Sequence, residues 1–411
     1  MASALGHIRI CDFTGQLAGA GATRYLAAFG AEVIRVEDPV RQGRWDILRG
    51  SPPYVDERRG IDLGGAFNNT NPEKLGITLN LRDERGRELL RRLVAVSDVV
   101  SENFAAGVLA RLGFDYDALR AIRDDIIYVS NSGFGATGPY RAFKSWGPIV
   151  QAVSGLTFQS GLAGLPPAGW GYSYMDHHGG NFMALAILAA LVHRSRTGEG
   201  QWVDMSCSEA AATLTGTDIL DYTVNGRPSR RPGCPDSNHS AAPLMVPHGI
   251  YPCAGDDNWV AIACRDDADW AALAALMRDD GHDVPDVPSV AQRAGAQEEL
   301  DARVGAWTAS RDRYALQHRL QAAGVPAVAV QRPEDRIDGD VGTSAFGLWP
   351  VAHHSAMGDV RVDGFPLHLS ETDWSIQRGA PCLGEHNDYV YGELLGVPPD
   401  ELEALRAQGV I

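Results

Sequence analysis

The stretch Ile8-Arg9-Ile10-Cys11-Asp12-Phe13-Thr14-Gly15-Gln16-Leu17-Ala18-Gly19-Ala20-Gly21-Ala22-Thr23-Arg24-Tyr25-Leu26-Ala27-Ala28-Phe29-Gly30-Ala31-Glu32-Val33-Ile34-Arg35-Val36 decides the fold. Ile8 to Phe13 is an apolar run of strand length. Gly15, Gly19 and Gly21 punctuate a turn, and Thr23 to Phe29 is apolar at helical spacing. Gly30 supplies the helix stop, and Glu32 to Val36 is a second strand. Two strands flanking a crossover helix form a parallel pair, the unit of an α/β sheet.

The alternation continues outward. Ile77 to Leu81 reads as a strand, and Glu84 to Val96 as a helix with a basic face (Arg85, Arg87, Arg91, Arg92). Asp98 to Ser101 is a strand leading into Glu102-Asn103-Phe104, and Tyr116 to Ile122 is helical. Ile126 to Ser130 opens into the Gly-rich run Ser132 to Pro139. A long helix over Asn181 to Arg194 precedes a strand at Trp202 to Met205. The first two hundred residues therefore read as a doubly wound domain.

The texture changes near residue 225. Asn225 to His239, rich in Pro, Gly, Arg and Ser, is a linker or long loop. Gly249 to Pro252 and Trp259 to Ala263 form an expected antiparallel hairpin, followed by helices at Ala268–Met277 and Glu298–Ala306. Asp279 to Gln292 reads as a surface loop, and Ala323 to Val330 as a strand. The tail from Gln331 is loop-rich and closes on a short helix, Asp400 to Ala407.

Composition bounds the function. A chain of 411 residues suggests two or three domains, and 45% hydrophobic with 21% charged residues argues against disorder. The net charge of −16 argues against non-specific binding to nucleic acid or anionic membranes. It leaves room for a local basic pocket. Six widely spread cysteines without a C-x-x-C pair read as reduced thiols, with no zinc or other metal site expected. The first residues read as no signal peptide. The longest apolar run, Phe182 to Val192, is 11 residues, too short for a span of about 20. A cytoplasmic protein is expected.

Several motifs carry chemistry. Gly15, Gly19, Gly21 and Glu37 resemble a dinucleotide fingerprint, but the spacing is G-x-x-x-G-x-G, and packing explains the glycines equally well. An NAD-dependent oxidoreductase is one alternative on this basis. In Gly171-Tyr172-Ser173-Tyr174-Met175-Asp176-His177-His178-Gly179-Gly180-Asn181, an aromatic-flanked segment ends at Asp176 and an apolar helix follows. Asp176 is then either a helix cap or an ionised nucleophile beside a helix N-terminus. His177 and His178 are adjacent, point apart and find no partner at i+4, so they read as polar supports rather than metal ligands. Gly133 to Tyr140 lacks the Lys-Ser/Thr ending of a phosphate loop. Lys74, Arg111 and Lys144 lie at or near strand–helix junctions, where a parallel sheet binds anions.

An ordered set of short pieces then resembles the class III CoA-transferases, the formyl-CoA transferase and carnitine CoA-transferase group that also contains the α-methylacyl-CoA racemases. The pieces are Cys11 to Thr14 with Leu17 to Gly19, Phe29 to Glu37, Asn71 to Lys74, Ser101 to Phe104, and Ser132 to Tyr140. Gln151 to Gly155, Asp176 with its glycines, Arg196 to Gln201, Ala323 to Pro326 and Ala380 to His386 complete them. The resemblance implies a large Rossmann-like domain (1–225 and 331–411), a small α+β domain (226–330), and two chains interlocked as a homodimer. It implies no cofactor beyond coenzyme A as a substrate. The catalytic residue maps onto Asp176, and CoA contacts map onto Gln16, Leu17, Ala18, Lys74, Asn103, Phe104, Arg111 and Lys144.

The implied reaction runs through an aspartyl anhydride and an aspartyl-CoA thioester at Asp176. Backbone N–H groups near Gly179 and Gly180 are the expected oxyanion donors. Three departures stand out. The Gly-rich loop expected over the active site corresponds to His239-Ser240-Ala241-Ala242-Pro243, without glycine. The Tyr–acid pair expected before Gln151 is Trp146-Gly147, and Asp38 stands at a position often basic, with Arg41 or Arg44 as substitutes. Racemisation needs a second acid/base, which Ser145 to Pro148 does not offer, so transfer is the favoured reaction. Intramolecular transfer on a dicarboxylic acid uses the same Asp176. Trp146, Trp170, Tyr172 and Tyr174 suggest a roomy, partly aromatic pocket for an aromatic or branched acid, with succinyl-CoA as donor. A CoA-binding protein without turnover is a further alternative.

Overall fold

Six short strands, β1 (Arg9–Asp12), β2 (Glu32–Glu37), β3 (Leu75–Thr78), β4 (Val99–Glu102), β5 (Ile127–Ser132) and β6 (Trp202–Ser206), pair in parallel in the order β3-β2-β1-β4-β5-β6. They come from a computed structural model that describes residues 3–162, 164–169, 173–230 and 237–411. The order reverses between β1 and β4, the switch point at which open α/β sheets bind ligands.

The strands form because their side chains have apolar cover on both faces. Ile10, Val33, Val99 and Ile127 lie in register on one face, and Cys11, Ile34, Val100 and Tyr128 on the other. Helix α1 (Ala18–Ala28) packs on the first face with a long helix. Helices α2 (Glu84–Ala95) and α3 (Tyr116–Ile122) lie on the second, through Leu89, Leu90, Leu93 and Leu119. In the chain, α4 (Gly147–Val153) stands between β5 and the long helix, and its Val150 packs with Met175 and Cys207.

The C-terminal tail completes the second face. Val390, Tyr391, Leu402, Leu405 and Ile411 join its core. The β3 edge is closed by the tail: Thr78 N donates to Asn387 Oδ1 at 2.9 Å, and Tyr391 Oη donates to Thr78 O at 2.7 Å. The free edge of a parallel strand is thus paired rather than exposed.

The chain resolves into two compact units. One comprises Met1–Thr157, Gly169–Gly216 and Gly342–Ile411; the other comprises Phe158–Ala168 and Thr217–Val341. The second unit has an antiparallel sheet of β7 (His248–Pro252), β8 (Trp259–Ala263) and β9 (Ala327–Ala329), in the order β9-β8-β7. Helices α6 (Asp267–Asp279), α7 (Gln297–Thr308) and α8 (Arg313–Ala322) cover it around Trp270, Val304, Trp307 and Leu320. The hairpin and the first two helices fall where the sequence places them. The strand expected over residues 323–330 is only three residues long, because Gly324 sits in a left-handed turn at φ +84°.

The long helix, α5, runs Tyr174–Thr197, seven residues earlier than the sequence pattern suggests. Gly179 and Gly180 do not break it. A Cβ at Gly179 would stand 2.6 Å from Cys207 Sγ, and one at Gly180 would stand 2.8 Å from Ala18 O. These glycines let the helix approach its neighbours closely. Among the described residues no helix is long and apolar enough to cross a membrane.

Candidate active site

The site is assembled from the loops that leave β1, β4 and β5 at their C-terminal ends. Asp12, the last residue of β1, is buried and accepts from Thr14 N at 3.0 Å and Ser101 Oγ at 2.8 Å through one oxygen. Its other oxygen accepts from Thr23 Oγ1 at 2.8 Å and faces Lys74 Nζ at 3.3 Å. This carboxylate ties the loop after β1 to β3 and β4.

Two further groups hold that loop. The Asn103 amide grips the Gly15 peptide from both sides, accepting from Gly15 N at 2.8 Å and donating to Gly15 O at 3.0 Å. Gln16 N donates to Asp46 Oδ2 at 3.0 Å, and the same oxygen is paired with buried Arg35 at 2.8 Å. Gln16 takes the left-handed conformation, φ +55°, which costs a non-glycine residue energy and needs such anchors.

A cavity of about 340 Å³ opens beside this loop. Gln16, Ala18, Asn103, Phe104, Lys144 and Asp176 all lie in its wall, so the structure brings together six of the nine residues expected there. Leu17, Lys74 and Arg111 are not in it. Leu17 stands at the N-terminal boundary of α1. Arg111 is exposed at the end of a short helix, Val108–Arg111, beside Gly107.

Lys74 needs a correction in place. Its ammonium is fully enclosed, donating to Thr23 Oγ1 at 2.7 Å, Asn71 Oδ1 at 3.0 Å and Ala20 O at 3.1 Å beside Asp12. Burial pulls its pKa down to about 8 against the opposing pull of Asp12. This charge is committed to joining β1, α1 and β3, and it does not face the cavity.

Asp176 lies in the first turn of α5, three residues after Ser173. It is therefore not the cap residue that one reading of the sequence proposed. Burial pushes its carboxyl up to about 6, and the Ser173 hydroxyl partly offsets this by hydrogen bonding to the ion. At neutral pH the group is ionised, yet more basic than an ordinary aspartate. Gly179 and Gly180 stand in the second turn, where N–H groups belong to the helical ladder, so they cannot act as oxyanion donors. Within the first turn, Asp176 N donates to Ser173 O at 3.0 Å.

Three neighbours were not legible as site residues. Gly147 abuts Asp176: a Cβ there would stand 2.8 Å from Asp176 Oδ2 and 2.8 Å from Ser173 Cβ. Cys207 lines the cavity with its thiol donating to Asn131 Oδ1 at 3.1 Å. Burial and the Asp176 charge push that thiol up to about 12, so it is not a competing nucleophile. Arg141 is in the wall with Lys144 and Trp146. The signal for Arg141 was its place directly after Gly138-Pro139-Tyr140 in the Gly-rich loop.

That loop is fixed from β6. Asp204 accepts from Ala136 N at 2.7 Å and Thr137 Oγ1 at 3.3 Å, and the turns pass through Gly135 and Gly138 at φ +77° and +78°. Of the expected aromatics, Trp146 lines the cavity, Tyr174 stacks on His178, and Trp170 and Tyr172 lie outside the described residues. His178 Nε2 is within 2.9 Å of Thr213 Oγ1, a tie between helices. Glu37, the candidate ribose acid, is 1% exposed and closed off by Arg49 at 2.9 and 2.5 Å, so it cannot meet a dinucleotide.

Among known proteins, the model of CoA-transferase family III matches residues 5–387. The chain is 32% identical over 410 residues to a succinyl-CoA–D-citramalate CoA-transferase of Chloroflexus aurantiacus, covering 99% of this chain and 98% of that one. It is 32% identical over 399 residues to a succinate–glutarate CoA-transferase of Agrobacterium fabrum, covering 95% of each. A crystal structure of a CaiB/BaiF family protein from Brucella suis superposes with a TM-score of 0.83 at 30% identity, over 96% of this chain and all of that one.

Proposed function

The chain belongs to CoA-transferase family III, and on that premise we propose that it moves coenzyme A from succinyl-CoA or a similar acyl-CoA to a carboxylic acid, with Asp176 as the covalent nucleophile. The observation that carries the reading is Asp176 itself, a half-buried carboxylate of raised basicity in a cavity with Lys144 and Arg141.

An Asp176 carboxylate oxygen attacks the thioester carbonyl, the C–S bond breaks, and CoA leaves as thiolate. The product is a mixed anhydride. The thiolate then attacks the Asp176 carbonyl, releasing the donor acid and leaving an aspartyl-CoA thioester. The acceptor carboxylate attacks this thioester, forming a second anhydride and freeing the thiolate again. Thiolate attack on the acceptor's acyl carbon yields the new acyl-CoA and restores Asp176. A carboxylate suits the task because its anhydride is as activated as the thioester it replaces.

Gln16, Ala18, Phe104 and Lys144 hold the thioester end in this reading, and Arg111 meets CoA outside the cavity. Gly147 supports transfer over racemisation, since it places no second acid or base against Asp176. The reading extends to a homodimer.

Intact-mass measurement after mixing with a panel of acyl-CoAs, then hydroxylamine, tests the proposal. A CoA-sized, hydroxylamine-sensitive adduct that maps to Asp176 and is absent from Asp176→Ala is the expected result. Tight CoA binding with no adduct from any donor would overturn it.

A further inference from the structure

We propose that Arg141 binds a second carboxylate carried by the acyl group, which makes the acids exchanged at this site dicarboxylic. The assignment rests on the CoA-transfer reading above and deepens it.

Arg141 and Lys144 line the same cavity as Asp176. Neither makes an ion pair with any described residue. Several buried or half-buried arginines of this acidic chain do find carboxylates: Arg35 with Asp46 at 2.8 Å, Arg49 with Asp62 at 2.7 Å, and Arg194 with Asp98 at 3.0 Å. A cation left unpaired in the wall that also holds a nucleophilic carboxylate is open to an anion that arrives with the substrate. The phosphates of CoA are poor candidates, because the long pantetheine arm separates them from the thioester that must reach Asp176. What shares a cavity of about 340 Å³ with Asp176 is the thioester end of CoA and the acyl group it carries.

The chemistry favours a carboxylate. The guanidinium fork matches its two oxygens, which an ammonium does not. Phe143 and Trp146, in the same wall, offer apolar cover to the methylenes between the two acid groups. Without a cation, a second carboxylate would be repelled by ionised Asp176. The loop that leads to Arg141 is pinned through Asp204 to β6 at Ala136 and Thr137. A monocarboxylic acid leaves Arg141 without a role.

Isotope exchange tests this without knowledge of the natural acceptor. Labelled succinate is exchanged into succinyl-CoA, and labelled butyrate into butyryl-CoA, which has the same chain length without the second acid. Wild-type protein should favour the succinyl pair. Arg141→Ala should lower kcat/KM for that pair by roughly tenfold to a hundredfold, mostly through KM, and so collapse the preference. Arg141→Lys should keep part of it. An unchanged preference in Arg141→Ala overturns the assignment. So does an equal loss on both pairs, which would mark Arg141 as a support for the loop. Wild-type exchange of butyrate as fast as succinate overturns it while leaving CoA transfer standing. Exchange of neither acid overturns the assignment, while CoA transfer itself stands or falls by the adduct measurement on Asp176.

Discussion

Asp176 carries its charge in surroundings that oppose it, and two consequences can be measured. Its carboxyl titrates near 6 instead of the ordinary 3.8 because burial favours the neutral form. Adduct formation in a single turnover should therefore fall as pH drops through about 6; a break near 4 would mean an open, solvated carboxylate. The sign for stability is the reverse of the usual carboxylate case. The pKa is raised on folding, so the ionised form costs stability above about pH 6, and the cost vanishes below about 4. Asp176→Asn should be inactive and melt higher than wild type at pH 7.5, by roughly 2–4 °C per kcal/mol relieved. The two should melt alike at pH 4. Beside it, Gly147→Ala drives a methyl against Asp176 Oδ2 and Ser173 Cβ. Displacement of the nucleophile should cut kcat at least about tenfold with little change in KM; a kcat within twofold of wild type would sink this account. Lys74 behaves oppositely. Lys74→Met strands buried Asp12, which should cost about 3–5 kcal/mol in urea unfolding. CoA affinity measured on the folded fraction should stay the same, because the ammonium does not reach the cavity.

At the scale of elements, the loop between β5 and α4 positions the cations of the site, and Asp204 holds it through Ala136 N and Thr137 Oγ1. Asp204→Ala should loosen that loop and raise KM for acyl-CoA roughly tenfold, more than it lowers kcat. Asp204→Asn retains an amide oxygen for Ala136 N and should recover most of the loss. If both variants match wild type in steady-state kinetics, the clip is incidental. The elements also show what could be read in advance. The strands β1, β2, β4 and β5 announced themselves because parallel strands buried on both faces are continuous apolar runs. The start of α5 did not. Gly179 and Gly180 look like a break in one dimension, and only the proximity of Cys207 Sγ and Ala18 O explains them. Lys74 failed for the same reason: a motif identifies a cation, while burial against Asp12 belongs to the fold. Asn103 was legible as a site residue, but its grip on the Gly15 peptide was not.

At the scale of the molecule, one apolar surface has no cover among the described residues. A groove of about 470 Å³ on the first unit is walled by Leu5, Tyr25, Phe29, Leu185, Leu188 and Leu369. Leu185 and Val192 of α5 are 61% and 49% exposed. Contiguous apolar patches of this kind on soluble proteins mark interfaces. A second copy of the chain is the occupant that the proposed homodimer supplies, through the same helix that carries Asp176. Sedimentation of wild type at micromolar concentration should give a dimer. Each chain carries a net charge of −16, so added salt should strengthen association by screening the repulsion between copies. Leu188→Glu sets a carboxylate into the groove and should weaken the dimer by roughly a hundredfold or more, since burying an unpaired charge costs several kcal/mol. The variant keeps every wall residue of the cavity that holds Asp176, so its activity as a monomer reports whether the proposed site needs a partner chain. A wild type that sediments as a monomer at every salt concentration would leave the groove to another occupant and remove the dimer from this account.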